Sequence, residues 1–369
     1  MKNGQTATTA SERITSVDFF RGFTMFLLIG ESTRIFDHIN EIDNGFIHFF
    51  GNQFTHHEWH GLNFWDLIQP FFMFIVGVAI PFAVANRKRK GATNKSLYAH
   101  AFKRSALLLF LGLALYTSGE DKIVFRLQNV LAQLSFTYLV AFLIMLWDWK
   151  WQFAFSLLLL LGIDLAYRFF PVAGFNQPWE PFQNLGSWVN NWLENTDKAS
   201  IWASLNAIST TAHTIWGVLC GLLLMSNKTA AQKIKILLIA GISGLIIGFG
   251  LDLLAITPII KKIATSSFIF ASAGWAILAL AASYWIIDVK KNVAASKFFI
   301  VVGMNCIFIY LLFSLGGARI LADIYKPFIS QFFSWSGHLF TGILISAAVW
   351  ASLWYICYWL YEKKIFIKI

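Results

Sequence analysis

Five histidines lie within one polar stretch of the chain, directly before a long apolar segment: His38, His48, His56, His57 and His60. An imidazole exchanges protons near neutral pH, because its pKa is about 6.5, and it serves as a general base or as a nucleophile. The residue four after His57 is Gly61, so the zinc pattern H-E-x-x-H is missing. We therefore expect one working imidazole and no metal, with His38 and His48 as polar loop residues.

The first long apolar segment carries charges at both of its ends. Asp18 with Arg21, and Glu31 with Arg34, are spaced three residues apart, so each pair can meet on one face of a helix. Arg21 and Ser32 are eleven residues apart, which returns them to nearly the same face about 16 Å further along the axis. Charges inside a membrane are functional candidates by default. The pattern predicts a polar stripe between the two ends, although structural ion pairs would leave the same pattern.

The amino-acid composition indicates whether the chain folds in water or in a membrane. Of the 369 residues, 57% are hydrophobic and 13% are charged, about half the charged share of soluble domains. This excludes a soluble fold. The net charge of +10 therefore concerns the two sides of a membrane rather than a nucleic-acid partner.

Ten segments meet or approach the ~20 mostly apolar residues that cross a bilayer. They are, roughly, 14–36, 64–85, 101–117, 129–147, 151–169, 201–225, 236–255, 265–287, 298–317 and 339–360. The sequence thus predicts an all-α polytopic membrane protein with about ten transmembrane helices. We expect a single domain over residues 14–361, between tails at residues 1–13 and 362–369.

The distribution of Lys and Arg predicts the orientation. The tails and the connections on their side hold 19 of these residues, and the opposite connections hold 8. By the positive-inside rule both termini are expected in the cytoplasm, and the run Arg87-Lys88-Arg89-Lys90 is the strongest signal. No cleavable signal is visible, because the first apolar run is too long and lacks a small-residue cleavage site. We expect an integral protein of a bacterial inner membrane, with the His-rich loop, residues 37–63, facing the periplasm.

Two further polar residues stand at or within apolar segments. Asp66 opens the second segment, where a carboxylate can cap a helix and favour the positive end of its dipole. His213 lies near the middle of the sixth segment. A neutral imidazole bonded between helices and a role with protons or a ligand both remain open for His213.

Several long motifs stand out in the chain: Arg13–Gly22, His56–Leu62 with Asp66–Ile68, Phe74–Gly77, Lys261–Phe268 and Gly303–Asn305. Together they resemble the catalytic domain of the heparan-alpha-glucosaminide N-acetyltransferase family. The resemblance covers nearly the whole chain. It implies an enzyme that takes acetyl from acetyl-CoA on the cytoplasmic side and delivers it to an amino sugar on the other side. The motif H-x-x-W-x-G of the family then identifies His56 as the catalytic histidine. Where members commonly have Asn, this chain has Ser32, preceded by Glu31.

The resemblance and the charge pattern together predict three groups of site residues. The catalytic group is His56, Glu31 and Ser32. Arginines suit phosphates, so the group that binds coenzyme A is Arg13, Arg21 and Arg104 for the phosphates, with Ser266, Ser267 and Asn305 for the pantetheine arm. The acceptor group is His57, Glu58, Trp59, His60 and Asp66. Acetyl-CoA is the expected acyl donor.

Two other functions fit parts of the pattern. An O-acyltransferase acting on hydroxyls of surface or periplasmic polysaccharides would use the same cytoplasmic donor. An ion-coupled sugar transporter also holds charges in its membrane helices, but transporters often repeat interrupted helices in corresponding halves, and the sequence shows no such symmetry. The expected partners are an amino sugar or oligosaccharide acceptor, the lipid bilayer and, by family likeness alone, a second copy of the chain.

Overall fold

The computed structural model describes residues 14–196, 198–294 and 296–367. Helices make up 74% of the chain, and the described residues contain no strand beyond an isolated antiparallel bridge between His60 and Ile260. Arg13, predicted to bind coenzyme A, lies outside the described residues, as does the rest of the predicted tail at residues 1–13.

The described residues form fifteen α-helices: α1 Thr15–Ser32, α2 Ile35–Asn40, α3 Gly45–Asn52, α4 Ile68–Arg89, α5 Asn94–Thr117, α6 Val130–Ile144, α7 Trp149–Arg168, α8 Leu185–Leu193, α9 Asn206–Met225, α10 Ala230–Leu253, α11 Ser266–Ser283, α12 Ser296–Gly303, α13 Cys306–Ser314, α14 Gly317–Phe333 and α15 His338–Glu362. Short 3₁₀ turns cover Phe64–Leu67, Lys261–Ile263 and Ser334–Ser336, and a π-helical turn continues α11 over Tyr284–Val289.

Six of the described helices are long and apolar enough to cross a membrane, and the bent pair α12–α13 makes a seventh. All ten predicted segments are largely helical, so the prediction of an all-helical membrane protein is confirmed, while the count of ten stays a prediction. The other three predicted segments form helices that are too charged or too short to be counted as membrane-crossing by length and apolar character alone. Helix α1 carries Asp18, Arg21 and Glu31, α5 includes Lys103 and Arg104, and α6 has only 15 residues.

Helices α4 and α9 form the centre of the bundle. In the most apolar 18 residues of these two helices, 78% and 72% of the residues are buried inside the protein. The corresponding shares are 17% for α7, 17% for α10 and 22% for α15. The peripheral helices therefore turn most of their apolar surface outward, where lipid would cover it. The residues that can do chemistry lie on or beside the central helices.

Helix α1 is held at its first turn and packed against α12 with no space to spare. The carboxylate of Asp288 accepts the backbone N–H groups of Thr15 and Ser16, each at 3.0 Å, and so satisfies donors that a helix start leaves free. A Cβ at Gly22 would lie 1.9 Å from the carbonyl oxygen of Phe299, so only glycine permits this approach. The charged stripe of α1 is thereby fixed relative to α12.

The chain bends by 71° between α12 and α13. Asn305, at the bend, is fully buried. Its amide donates to the carbonyl of Ile365 at 3.1 Å and accepts the N–H of Ile367 at 2.9 Å. Non-helical backbone at membrane depth occurs where it lines a cavity or is buried in protein, and both conditions hold here, since Gly303, Met304 and Cys306 line a cavity.

Candidate active site

His56 and Asp66 form a hydrogen-bonded pair at the start of α4. Nδ1 of His56 lies 2.9 Å from Oδ1 of Asp66. A carboxylate only accepts hydrogen bonds, so this contact places the imidazole proton on Nδ1 and leaves the lone pair of the neutral ring on Nε2. The side chain of His56 is 37% exposed and that of Asp66 is 1% exposed. The pair therefore presents a base or nucleophile at Nε2, oriented from behind by a buried carboxylate.

Asp66 is held in place by the turn that begins the helix. Its Oδ2 accepts the backbone N–H of Asn63 at 3.0 Å and that of His57 at 3.2 Å. The first contact caps the helix start, as the position of Asp66 before an apolar run predicts. The same carboxylate thus caps the turn and orients His56.

Lys261 reaches the same pair from the turn before α11. Its side chain is 7% exposed, with Nζ 3.5 Å from Oδ1 of Asp66 and 3.2 Å from Nδ1 of His56. Burial lowers the pKa of Lys261 to about 8, opposed by the negative charges of Asp66 and Glu31. A lysine so deeply buried needs a charged partner, and Asp66 supplies it.

Glu31 faces the free side of the imidazole from the last turn of α1. Its Oε1 lies 3.9 Å from Nε2 of His56, beyond hydrogen-bond distance, and accepts the indole N–H of Trp65 at 2.8 Å. Glu31 is 46% exposed whereas Trp65 is buried. The carboxylate is thus fixed by a rigid donor and remains open toward an incoming group.

The loop that carries His56 is fastened to the segment before α11. The backbone N–H of Gly61 donates to the carbonyl of Ile259 at 2.9 Å, and Nε2 of His60 lies 2.7 Å from Oδ1 of Asp252. Gly61 has a φ of +147°, and a Cβ there would lie 2.4 Å from Nε2 of His57. Glycine in the H-x-x-W-x-G motif is therefore required both by the backbone conformation and by the ring of His57.

An aromatic ring packs against His56, and a second aromatic contact anchors the same loop. The ring of Trp202 meets that of His56 edge to face, with centroids 5.4 Å apart, and Nζ of Lys261 lies 5.6 Å from its centroid. Trp59 donates its indole N–H to the carbonyl of Trp179 at 2.7 Å. Trp202, Trp59 and Trp179 are all half-buried. Trp202 thus presents a partly exposed aromatic face beside His56.

A cavity of about 590 Å³ lies within the bundle, among α1, α4, α5, α6, α12 and α13. On α4 its lining runs from Phe72 to Arg87, which corresponds to about 22 Å of helix at 1.5 Å per residue. Phe72 follows Asp66 by six residues, or about 9 Å. The cavity thus covers much of a hydrocarbon layer about 30 Å thick and ends roughly two helical turns from the histidine pair.

One end of this cavity is strongly basic. Its lining there includes Arg21, Arg87, His100 and Arg104. Arg21 binds Asp18 at 2.9 Å, and the guanidinium of Arg104 lies 4.6 Å from the ring centroid of Tyr138. Nε of Arg21 and Nε of Arg104 are buried and have no hydrogen-bond partner within the described residues. Buried donors without partners in a basic cavity fit an anionic ligand with several acceptor oxygens.

The remaining predicted residues lie elsewhere in the structure. Ser32 donates its hydroxyl to the carbonyl of Ile29 at 2.7 Å, within α1. Ser267 is buried and donates to the carbonyl of Pro258 at 2.7 Å, and Ser266 donates to that of Leu160 at 3.4 Å. Both serines open α11 next to Lys261, on the histidine side of the bundle. Asn305 bonds to the backbone of Ile365 and Ile367, and Ile367 lines the cavity. Their predicted roles stay predictions.

The residues predicted to bind the acceptor share the loop and turn of His56 and Asp66, and Lys262 contacts this loop. His57 is half-buried, Glu58 and His60 are exposed, and the ammonium of Lys262 binds the carbonyl of Glu58. Burial lowers the pKa of Lys262 as well. No group of three or more His, Cys, Asp or Glu side chains within residues 14–196, 198–294 and 296–367 is arranged to hold a metal ion.

Sequence reasoning missed four residues of these two sites. Arg87 and His100 bond to each other at the cavity mouth, and Trp202 and Lys261 lie beside His56. A signal existed for Lys261, which begins one of the long motifs, and for Arg87, which begins the basic run. Trp202 and His100 carried no signal that separates them from other residues of their kinds.

Comparison with known proteins relates a third of the chain to two acetyltransferases. The heparan-alpha-glucosaminide N-acetyltransferase of Mus musculus is 28% identical over 146 residues, which are 37% of this chain and 20% of that protein. The protein of the same name from Homo sapiens is 30% identical over 138 residues, 35% of this chain and 18% of that protein. The match thus spans about a fifth of each relative. No family model matches the chain.

Proposed function

We propose that this protein is a transmembrane acetyltransferase that moves an acetyl group from acetyl-CoA, bound from the cytoplasm, to an amino sugar on the opposite side of the membrane. The observation that carries the proposal is the cavity, which is basic at one end and approaches the His56–Asp66 pair at the other. The two partial matches to proteins named for such a reaction support it.

The proposed orientation has ten spans and cytoplasmic termini. Arg87 lies at the basic end of the cavity and begins the Arg–Lys run that the positive-inside rule assigns to the cytoplasm. The His-rich loop then faces the other side, which we take to be the periplasm of a bacterial inner membrane. In this orientation the donor enters at the arginines and the acceptor meets His56 from the far side.

The donor site fits a molecule with several phosphates and a long uncharged arm. Arg21, Arg87 and Arg104 supply fork-shaped donors that match phosphate oxygens, and the unpartnered Nε atoms of Arg21 and Arg104 are the donors we assign to coenzyme A. Beyond them the lining is mainly apolar, with Met25 and Phe72 among its residues. An arm that extends along this lining carries its thioester toward His56.

Replacing both Arg21 and Arg104 with Ala should weaken the binding of coenzyme A at least about tenfold, since each lost charged hydrogen bond is worth roughly 1.5–3 kcal/mol. Titration calorimetry with the purified protein measures this. Arg34→Gln is the matched control, because Arg34 lies on the same stretch of chain, is 75% exposed and pairs with Asp37. Unweakened binding in Arg21→Ala alone would remove that residue from the donor site.

The chemistry takes place at Nε2 of His56. In one route Nε2 attacks the thioester carbonyl, the thiolate of coenzyme A leaves, and the acetyl-imidazole passes its acetyl group to the acceptor amine. In the other route Nε2 takes a proton from the amine while the amine attacks the thioester carbonyl directly, the carbon–sulfur bond breaks, and the thiolate of coenzyme A leaves. Both routes need a neutral, correctly oriented imidazole, which the bond from Nδ1 to Asp66 provides.

Glu31 is proposed to receive the ammonium of the amino sugar or the proton released from it. Glu31→Gln removes the charge while it keeps an acceptor for the N–H of Trp65, so acceptor-dependent turnover should fall at least about tenfold, with a raised KM for the amine. Glu41→Gln is the control, because Glu41 also faces a histidine but not His56. Its Oε1 lies 3.8 Å from Nδ1 of His38 in the neighbouring helical segment. Turnover unchanged within twofold would exclude this role of Glu31.

The experiment that tests the function follows the release of free thiol from acetyl-CoA by the purified protein, with and without glucosamine. Release that depends on glucosamine supports amine acetylation. A panel that adds hydroxyl-only sugars and oligosaccharides separates this reaction from O-acylation. Coenzyme A binding without any turnover would mean that the acceptor or the acyl group is different, and no binding at all would refute the proposal.

A further inference from the structure

Lys261 is a charged residue of the site to which the acyl-transfer routes described above assign no role. It is buried at the turn before α11, with Nζ 3.2 Å from Nδ1 of His56 and 3.5 Å from Oδ1 of Asp66. Taking an ammonium out of water costs several kcal/mol. Asp66 is already held by His56 and by two backbone N–H groups. We therefore look for the role of this additional cation in the chemistry of the His56–Asp66 pair.

The reason lies in the charge state of His56. A carboxylate at 2.9 Å favours the charged imidazolium over the neutral ring. A protonated ring has no lone pair at Nε2 and serves neither as base nor as nucleophile. The ammonium of Lys261 has the same sign as the imidazolium and a similar distance to the ring. Its effect opposes that of Asp66.

The other charges around His56 act through more water. Glu31 faces Nε2 from α1 and is 46% exposed, Glu58 in the same loop is exposed, and Lys262 is half-buried. Solvent screens such groups more strongly than it screens a buried pair. The Asp66–Lys261 pair, at 1% and 7% exposure, therefore dominates the local field.

We propose that Lys261 is a positioning residue that neutralises the charge of Asp66, so that Asp66 orients His56 while the imidazole stays uncharged near neutral pH. The inference deepens the proposed function and depends on it only for the use made of the neutral ring. Lys261 itself carries its charge below about pH 8, since burial lowers its pKa to about 8.

The test measures the charge state of His56 without turnover. Diethyl pyrocarbonate reacts with neutral imidazole, so its rate of reaction with His56 in the full-length protein, followed by peptide mass spectrometry between pH 5 and pH 8, reports the midpoint of titration. Lys261→Met should raise this midpoint by about one unit. Lys261→Arg keeps the charge and should leave the midpoint near that of the wild type. His48, exposed and bonded to Asn52, is the internal control in every sample.

A double variant keeps the test decisive if Lys261→Met, which removes the ammonium beside the buried carboxylate of Asp66, does not fold. Asp66→Asn alone should lower the midpoint of His56, and Asp66→Asn with Lys261→Met should return it toward the wild-type value, because both charges are then gone. A midpoint that is the same with and without Lys261, in either background, overturns the inference. Shifted midpoints in a protein that transfers no acetyl group would refute the proposed function alone.

Discussion

His56→Ala is expected to reduce glucosamine-dependent thiol release at least about a hundredfold, because the variant lacks the group that accepts either the acetyl or the proton. The fold should survive, since His56 is 37% exposed and its loop is held by other contacts, such as the bond from Gly61 to Ile259. Steady-state assays at saturating acetyl-CoA measure the loss.

Two controls separate this effect from a loss of donor binding. Coenzyme A should bind His56→Ala with unchanged affinity, because the cavity lining that includes Arg21 and Arg104 does not include His56. His48→Ala should retain wild-type turnover, since His48 lies in the same loop but bonds only locally, to Asn52. Turnover by His56→Ala within tenfold of the wild type would move the reaction centre to another residue.

Asp66→Asn is expected to have the second largest effect, a loss of about a hundredfold to ten-thousandfold in kcat. An amide can donate to Nδ1 of His56, which would place the ring proton on Nε2, and the equivalent change in serine proteases costs about 10⁴ in kcat. The substitution also removes the partner of buried Lys261. Turnover and thermal stability should therefore be measured on the same preparations.

Asp252→Asn is the matched control for Asp66→Asn. Asp252 accepts from a histidine in the same loop, with Nε2 of His60 at 2.7 Å, and also from the backbone N–H of Ile259. If orientation of His56 is what matters, this variant should lose far less activity than Asp66→Asn. Equal losses would mean that both carboxylates act only by holding the loop in place.

The sequence predicted the helical elements well because each signal is local. Apolar runs produced helices at all ten predicted segments, and the carboxylate of Asp66 does cap the turn that it was expected to cap. The ion pair of Asp18 with Arg21 follows from their spacing on one helix. The sequence determines the number of membrane-spanning helices less well than it determines the helices themselves. Charged residues within α1 and α5 lower the apolar character of these segments without preventing a helix.

The contacts of the site were not predictable from spacing alone. Asp66 reaches His56 because the nine residues between them fold back through the turn at Asn63. Lys261 meets both only because α11 packs beside α4. The hydroxyl of Ser267, at the start of α11, donates to the carbonyl of Pro258, a partner that the spacing of residues did not indicate. Such partners depend on tertiary packing.

The long sequence separation within the pair of Asp66 and Lys261 has a consequence for biosynthesis. A chain grows at about 5–20 residues per second, so Lys261 emerges roughly ten to forty seconds after Asp66. Until then the carboxylate has no cationic partner, and the loop of His56 lacks the backbone contacts with Ile259 and Ile260 that fasten it. In the nascent chain the first helices therefore precede the cluster of His56, Asp66 and Lys261, which is complete only once α11 has followed them.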